Sequence, residues 1–134
     1  MRFNTAKYHN KKYIFDGLEF DSKLEGCRYL FLKDMERSGA ITDLRRQVEF
    51  ELIPKQTETK PVQLKTKIKL VERVVELPVT YRADFVYKIV PFMTTVVEDT
   101  KGFKTKDYVI KRKLMRWNGN PIREVRKATE PIIP

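Results

Sequence analysis

Apolar and polar residues change their repeat several times along the chain, and each change predicts a new element. In YIFDGLEF, residues 13 to 20, two apolar runs flank Asp16-Gly17. Both central residues of a tight hairpin turn need positive φ, so this pair predicts an opening hairpin. Beyond it, Leu24, Cys27, Phe31 and Met35 recur at three- and four-residue spacings. They predict a helix over 22–37, with Asp21 or Ser22 as N-cap and Gly39 just past its end. From Gln47 to Ile53 apolar Val48, Phe50 and Leu52 alternate with polar neighbours until Pro54 stops the run, the pattern of a half-buried strand. Residues 55–67 carry almost no core material and read as an exposed loop, or as the ragged start of a strand continuing through Ile68 and Leu70. Val79 to Ile89 and Met93 to Thr100, rich in Val, Thr, Tyr and Phe, read as adjacent antiparallel strands across a short 90–92 connection. Thr105 can cap a second helix reaching Trp117, with Ile110, Leu114 and Trp117 as its apolar stripe and Asn118-Gly119-Asn120 as its stop. A short strand over 121–125 and a proline-ended tail follow, with no internal repeat.

The 134 residues, 41% of them hydrophobic, are the size of one domain over 1–134 that can bury a core unaided. The single cysteine, Cys27, cannot form an internal bridge, which points to a reducing compartment such as a bacterial or phage-infected host cytoplasm. No apolar stretch is long enough to span a bilayer, and MRFNTAKYHNKKY lacks the apolar centre of a signal peptide. A soluble, cytoplasmic protein without a membrane partner is therefore expected. The formal charge of +10 makes polyanions natural partners. Its placement sharpens this: residues 101–134 hold ten Lys or Arg against only Asp107, Glu124 and Glu130.

Two carboxylates fall where an apolar strand would not choose them. Asp84, in YRADFVY, sits between Tyr81, Ala83, Phe85 and Tyr87, which alternation places on the opposite, buried face. A carboxylate there is costly unless it is solvated, paired, or bound to a metal. In VVEDTKG, residues two apart share a face, so Asp99 and Lys101 project together while Glu98 points away. If the two strands are neighbours, Asp84 and Asp99 come within reach of one ion. Glu25, in the first helix, is a third acid. Each also has a plainer reading: Glu25 as part of a capping box with Ser22, Asp84 paired with Arg82, and Asp99 with Lys101 as a surface pair. The order of helix acid, strand acid, then strand acid-x-Lys is more specific than any one of them.

FDSKLEGCRYLFLKDMERSGAITDLRRQVEFEL, followed by YRADFVY and VVEDTKG, resembles a phage and prophage family placed within the PD-(D/E)xK nuclease superfamily. The similarity spans nearly the whole chain, and the layout also resembles transposon end-cleaving nuclease subunits and junction resolvases. The resemblance implies an α/β, restriction-endonuclease-like fold with a central mixed sheet flanked by helices. It implies an active site of Glu25, Asp84, Asp99 and Lys101, with the three acids binding Mg2+ or Mn2+. Ala83 stands where the motif's name has proline, and Asp99 fills the acid-x-Lys slot, with Glu98 a rival ligand if the strand phase shifts by one. Gln47 is similar to an accessory polar residue of that superfamily, or is a solvent-facing strand residue.

The expected activity is a metal-dependent DNA endonuclease acting on branched recombination or replication intermediates, as a Holliday-junction resolvase does. Resolving a symmetric junction would require a homodimer. Lys104, Lys106, Lys111, Arg112 and Lys113, following the acid-x-Lys strand, would hold DNA phosphates, a role that positions DNA without reading its sequence. Lys111, about one turn from Asp107 and Tyr108, could extend the site. Trp117 and Tyr108 are expected in the core rather than stacked on bases. His9, the only histidine, reads as a surface residue. The alternatives are a non-catalytic nucleic-acid-binding module, or the nuclease subunit of a larger recombination complex.

Overall fold

The computed structural model describes residues 11–133. His9 lies outside them. The opening hairpin forms as the Asp-Gly turn predicts: β1 (Tyr13–Phe15) pairs antiparallel with β2 (Leu18–Phe20), with Asp16 at φ 53° and Gly17 at φ 76°. It folds against α1 (Lys23–Arg37), where the Phe15 ring lies so close to Gly26 that a Cβ there would collide with it.

The main sheet is mixed, in the order β3 (Ile41–Ile53), β6 (Val79–Ile89), β7 (Thr94–Thr100), β8 (Ile122–Val125). The first three strands are antiparallel, and β8 lies parallel to β7 after the crossover through α2 (Lys106–Trp117). The chain is thus an α/β structure of a mixed sheet and two helices. One core cluster, around Phe20, Tyr29, Leu32, Phe85 and Tyr87, joins α1 to the sheet. A second, around Leu52, Tyr81, Val97, Tyr108 and Met115, joins it to α2. Among the described residues no helix is long and apolar enough to cross a membrane.

Three expectations are corrected. Residues 55–67 are exposed as expected but are not a loop: β4 (Gln56–Gln63) pairs antiparallel with β5 (Ile68–Glu76), the strand expected through Ile68 and Leu70, in a ribbon running on from the β3–β6 pair. Among the described residues nothing packs on it, so Ile68, Leu70, Val71, Val74 and Val75 stay exposed and mark no buried face. On α1, Leu24, Cys27, Phe31 and Met35 are only partly buried, and the buried residues are Glu25, Gly26, Arg28, Tyr29 and Leu32. The buried face therefore lies about one residue around from the apolar stripe, because it includes two charged side chains. On α2, Tyr108 and Met115 are buried while Ile110 and Trp117 face outward.

The charge on the buried face of α1 is neutralised across the core. Arg28 and Glu98 are both fully buried; Arg28 donates Nε to Glu98 Oε1 at 2.8 Å and Nη2 to Oε2 at 2.6 Å. Arg28 Nη1 donates to the carbonyls of Ala128 and Glu130 at 3.0 and 2.6 Å, and Tyr87 donates its hydroxyl to Glu98. One side chain thus ties α1 to β7 and to the C-terminal segment. Arg28→Ala would leave Glu98 buried without a counter-charge and is expected to cost about 3–5 kcal/mol, read as a lower urea midpoint. A loss under about 1 kcal/mol, typical of a solvent-exposed pair, would contradict this arrangement.

Candidate active site

Sheet register gathers the polar residues. Phe85 pairs with Glu98 on β7 and with Arg46 on β3, so one residue further along the ladders Asp84 stands opposite Asp99 on one side and Gln47 on the other. Asp99 in turn pairs with Glu124 on β8. Gln47, Asp84, Asp99 and Glu124 therefore form a row across all four strands. Gln47 occupies the left-handed region at φ 52°, unusual for a non-glycine residue inside a strand and costing about 1–3 kcal/mol of strain. Its amide Nε2 donates to Glu25 Oε2 at 2.9 Å and reaches Asp84 Oδ1 at 3.5 Å.

Glu25 enters from α1. Ser22 caps the helix by accepting from the Glu25 backbone N–H at 3.0 Å, but the Glu25 carboxylate meets Gln47. Only half of a capping box is therefore formed. Asp84 Oδ2 accepts from the Thr100 N–H and hydroxyl, each at 2.8 Å. Asp99 Oδ2 accepts from the Tyr81 hydroxyl, and Asp99 Oδ1 lies 3.3 Å from Lys101 Nζ, which also sits 4.3 Å from the Tyr108 ring centre. The structure brings Glu25, Gln47, Asp84, Asp99 and Lys101 together, and it pairs Asp84 with Thr100 rather than with Arg82.

The electrostatics are those of crowded, desolvated acids. Burial, then the negative charge of Asp84, pushes Asp99 up to about 7 against the pull of Tyr81 and Lys101. Burial, then Asp84 and Asp21, likewise raises Glu25 to about 7, opposed by Arg46 and Gln47. Burial and Asp99 raise the Tyr81 phenol, which keeps it a proton donor. Such excess negative charge, held by hard oxygen donors, suits a divalent cation. The cage is nevertheless not assembled in advance: among the described residues no three His, Cys, Asp or Glu side chains are arranged to hold an ion. Gln47 stands between Glu25 and Asp84 instead.

Other expected residues fall elsewhere. Glu98 points into the core, saturated by Arg28 and Tyr87, and is no rival ligand. Lys104 and Arg112 reach Glu124 at 2.8 and 3.3 Å, and Tyr108 donates to it at 2.7 Å. Burial opposes ionisation of Glu124, but these partners hold it down at about 2. Lys106, Lys111 and Lys113 form no ion pair among the described residues, so they carry the available positive charge of the expected phosphate-binding set. Tyr81, Thr100 and Glu124 had no distinguishing sequence pattern: each becomes part of the site only through cross-strand register.

A family model described as a protein of unknown function, DUF1064, matches residues 5–129. The chain belongs to that family. No curated protein and no solved structure matches it.

Because Glu25 and Asp99 hold protons in the folded protein that they release near 4.5 and 3.8 when free, the folded state binds more protons between about pH 4 and pH 7. In EDTA the protein is therefore expected to lose stability as pH rises from about 4 to about 7, by at most about 1.4 kcal/mol per pH unit for each group. Glu25→Gln and Asp99→Asn should each flatten urea-unfolding free energy against pH. A slope unchanged in both variants would show that these acids do not titrate high.

Proposed function

We propose that this protein is a metal-dependent DNA endonuclease with a restriction-endonuclease-like core of the PD-(D/E)xK type. Its substrate class is branched recombination or replication intermediates. The observation that carries the reading is that Asp84 and Asp99 lie just beyond the Phe85–Glu98 pair on neighbouring strands, with Asp84 accepting from Thr100, Lys101 3.3 Å from Asp99, and Glu25 linked to Asp84 by Gln47. The sequence motif acids and lysine, separated by up to 76 positions, share one neighbourhood on a mixed sheet.

Asp84, Asp99 and Glu25 would hold Mg2+ or Mn2+. When bound, such an ion supplies charge stabilisation to the phosphate and a more acidic water. The chain's own side chains do the rest. Thr100 fixes one oxygen of Asp84, and Tyr81 fixes one of Asp99; an ion at the other two, Asp84 Oδ1 and Asp99 Oδ1, would displace the contacts these make with Gln47 and Lys101. Lys101 keeps an ammonium at Asp99, where it can donate a hydrogen bond that orients the attacking water. Gln47 can release Glu25 and Asp84 or hold them in register as their charges are neutralised. Lys106, Lys111 and Lys113 position the flanking phosphates. Symmetric junctions would engage two copies of the chain.

The test is cleavage of a four-way junction and of a linear duplex in Mn2+, in Mg2+ and in EDTA. Cleavage is expected only with metal. Asp84→Ala, Asp99→Ala and Lys101→Ala should each slow it at least about 100-fold, as losing a few kcal/mol of charge stabilisation implies, while DNA affinity stays the same or rises for the acids. An Asp84→Ala or Asp99→Ala protein that cuts at the unaltered rate would remove that acid from the site. DNA binding with no cleavage in either metal would leave a nucleic-acid-binding module.

A further inference from the structure

The outward face of α2 carries a pattern that the acidic site does not use. Lys106, Ile110, Lys113 and Trp117 follow one another at spacings of four, three and four, which puts them on one face of the helix. Ile110 is 58% exposed and Trp117 86%, and Phe103, just before the helix, is 79% exposed. Tryptophan is among the residues most buried on average, so this degree of exposure is unusual. The cations on this face, Lys106 and Lys113, have no acidic partner among the described residues.

Next to this face lies a cavity of about 310 Å3 lined by Arg112, Lys113, Arg116, Pro121 and Ile122. Three of those five side chains are cationic; Arg112 is engaged by Glu124 at 3.3 Å, while Lys113 and Arg116 have no acidic partner among the described residues. Lys113 belongs to both features: it lines the cavity and precedes Trp117 by one helical turn. Ile122, at the cavity, lies two residues before Glu124 on β8, and Glu124 pairs with Asp99. The cavity is thus displaced from the acidic row by about 7 Å along the strand direction.

Cations flanking an exposed indole match a nucleic-acid strand, which offers phosphates and stackable bases at regular intervals. The matching excludes a base-paired interior, because stacking on a side chain requires a base whose face is open. A lipid surface fits less well, since the apolar residues here are separated by lysines instead of forming the broad stripe that interfacial helices bury.

We infer that the α2 face of Lys106, Lys113 and Trp117, with the adjoining Arg112–Lys113–Arg116 cavity, binds unpaired nucleic acid, seating a phosphate in the cavity and stacking a base on Trp117. The inference rests on the nuclease reading for its biological sense, since branched DNA exposes unstacked bases beside the scissile strand. Its physical content stands without cleavage.

Trp117 is the only tryptophan in the chain, so emission excited selectively at tryptophan, beyond the absorption of the tyrosines, reports this position alone. The experiment titrates the full chain in EDTA with an oligo(dT) strand, a blunt duplex of equal length, heparin, and phosphatidylserine vesicles. Quenching by oligo(dT), at least about threefold greater than by duplex or heparin at matched saturation, is the expected result. By fluorescence anisotropy with labelled oligo(dT), Trp117→Ala should weaken binding about 5- to 100-fold, as expected for the loss of one stacked base, and Trp117→Phe should recover most of it. Lys113→Ala/Arg116→Ala should lower the salt slope of binding by about one to two. Unchanged emission at saturating oligo(dT), equal quenching by heparin, or a blue shift with vesicles alone would overturn the inference. Because EDTA is present throughout, a chain that never cuts DNA can still quench, and one that cuts can fail to, so the two readings fail separately.

Discussion

The arrangement depends on a buried fork. Arg28 donates two bonds to Glu98 in the interior and two to the part-buried backbone carbonyls of residues 128 and 130. A guanidinium and carboxylate buried together are stable only when their geometry is near ideal, so the fork admits one placement of α1 against β7. That placement has consequences for chemistry. Glu25 lies three residues before Arg28 on α1, and Asp99 follows Glu98 on β7. Fixing the inner pair sets the distance between the two acids that face the candidate site.

The site places like charges together, with Glu25 and Asp99 buried and Asp84 half-buried, and relieves them only partly. Tyr81, Thr100 and Gln47 donate hydrogen bonds, and Lys101 supplies one positive charge. What remains raises both Glu25 and Asp99. Strain accompanies the charge: Gln47 keeps a left-handed backbone opposite Asp84, where an extended residue would turn its amide elsewhere. Perturbed acids and a strained backbone coincide at one place, which favours the proposed site.

Much of the layout was legible in the sequence because hydrophobic repeat and turn chemistry are local. The Asp16-Gly17 hairpin, the caps at Ser22 and Thr105, and the antiparallel pairing of the 79–89 and 94–100 strands follow from neighbouring residues alone. Alternation also set Asp99 beside Lys101 and Glu98 away from them. The rest depended on partners distant in the chain. Arg28 and Glu25 look like surface residues of a helix until Glu98 and Gln47 are placed against them, and the apolar stripe accordingly misplaced the buried face. The ribbon of β4 and β5 has no core to leave a pattern. Trp117 obeys a helical spacing that would normally mark a core residue, yet Tyr108 and Met115 fill the interior and leave it outside.

The central claim is that acids from α1, β6 and β7 serve a common cation. The most direct measurement is manganese anomalous scattering from crystals soaked near neutral pH. The account predicts one strong peak within about 2–2.5 Å of carboxylate oxygens of both Asp84 and Asp99, with Glu25 bound directly or through water. A peak at other residues, or full manganese exposure with the Asp84 and Asp99 carboxylates still bonded only to Thr100, Tyr81 and Lys101, would contradict it.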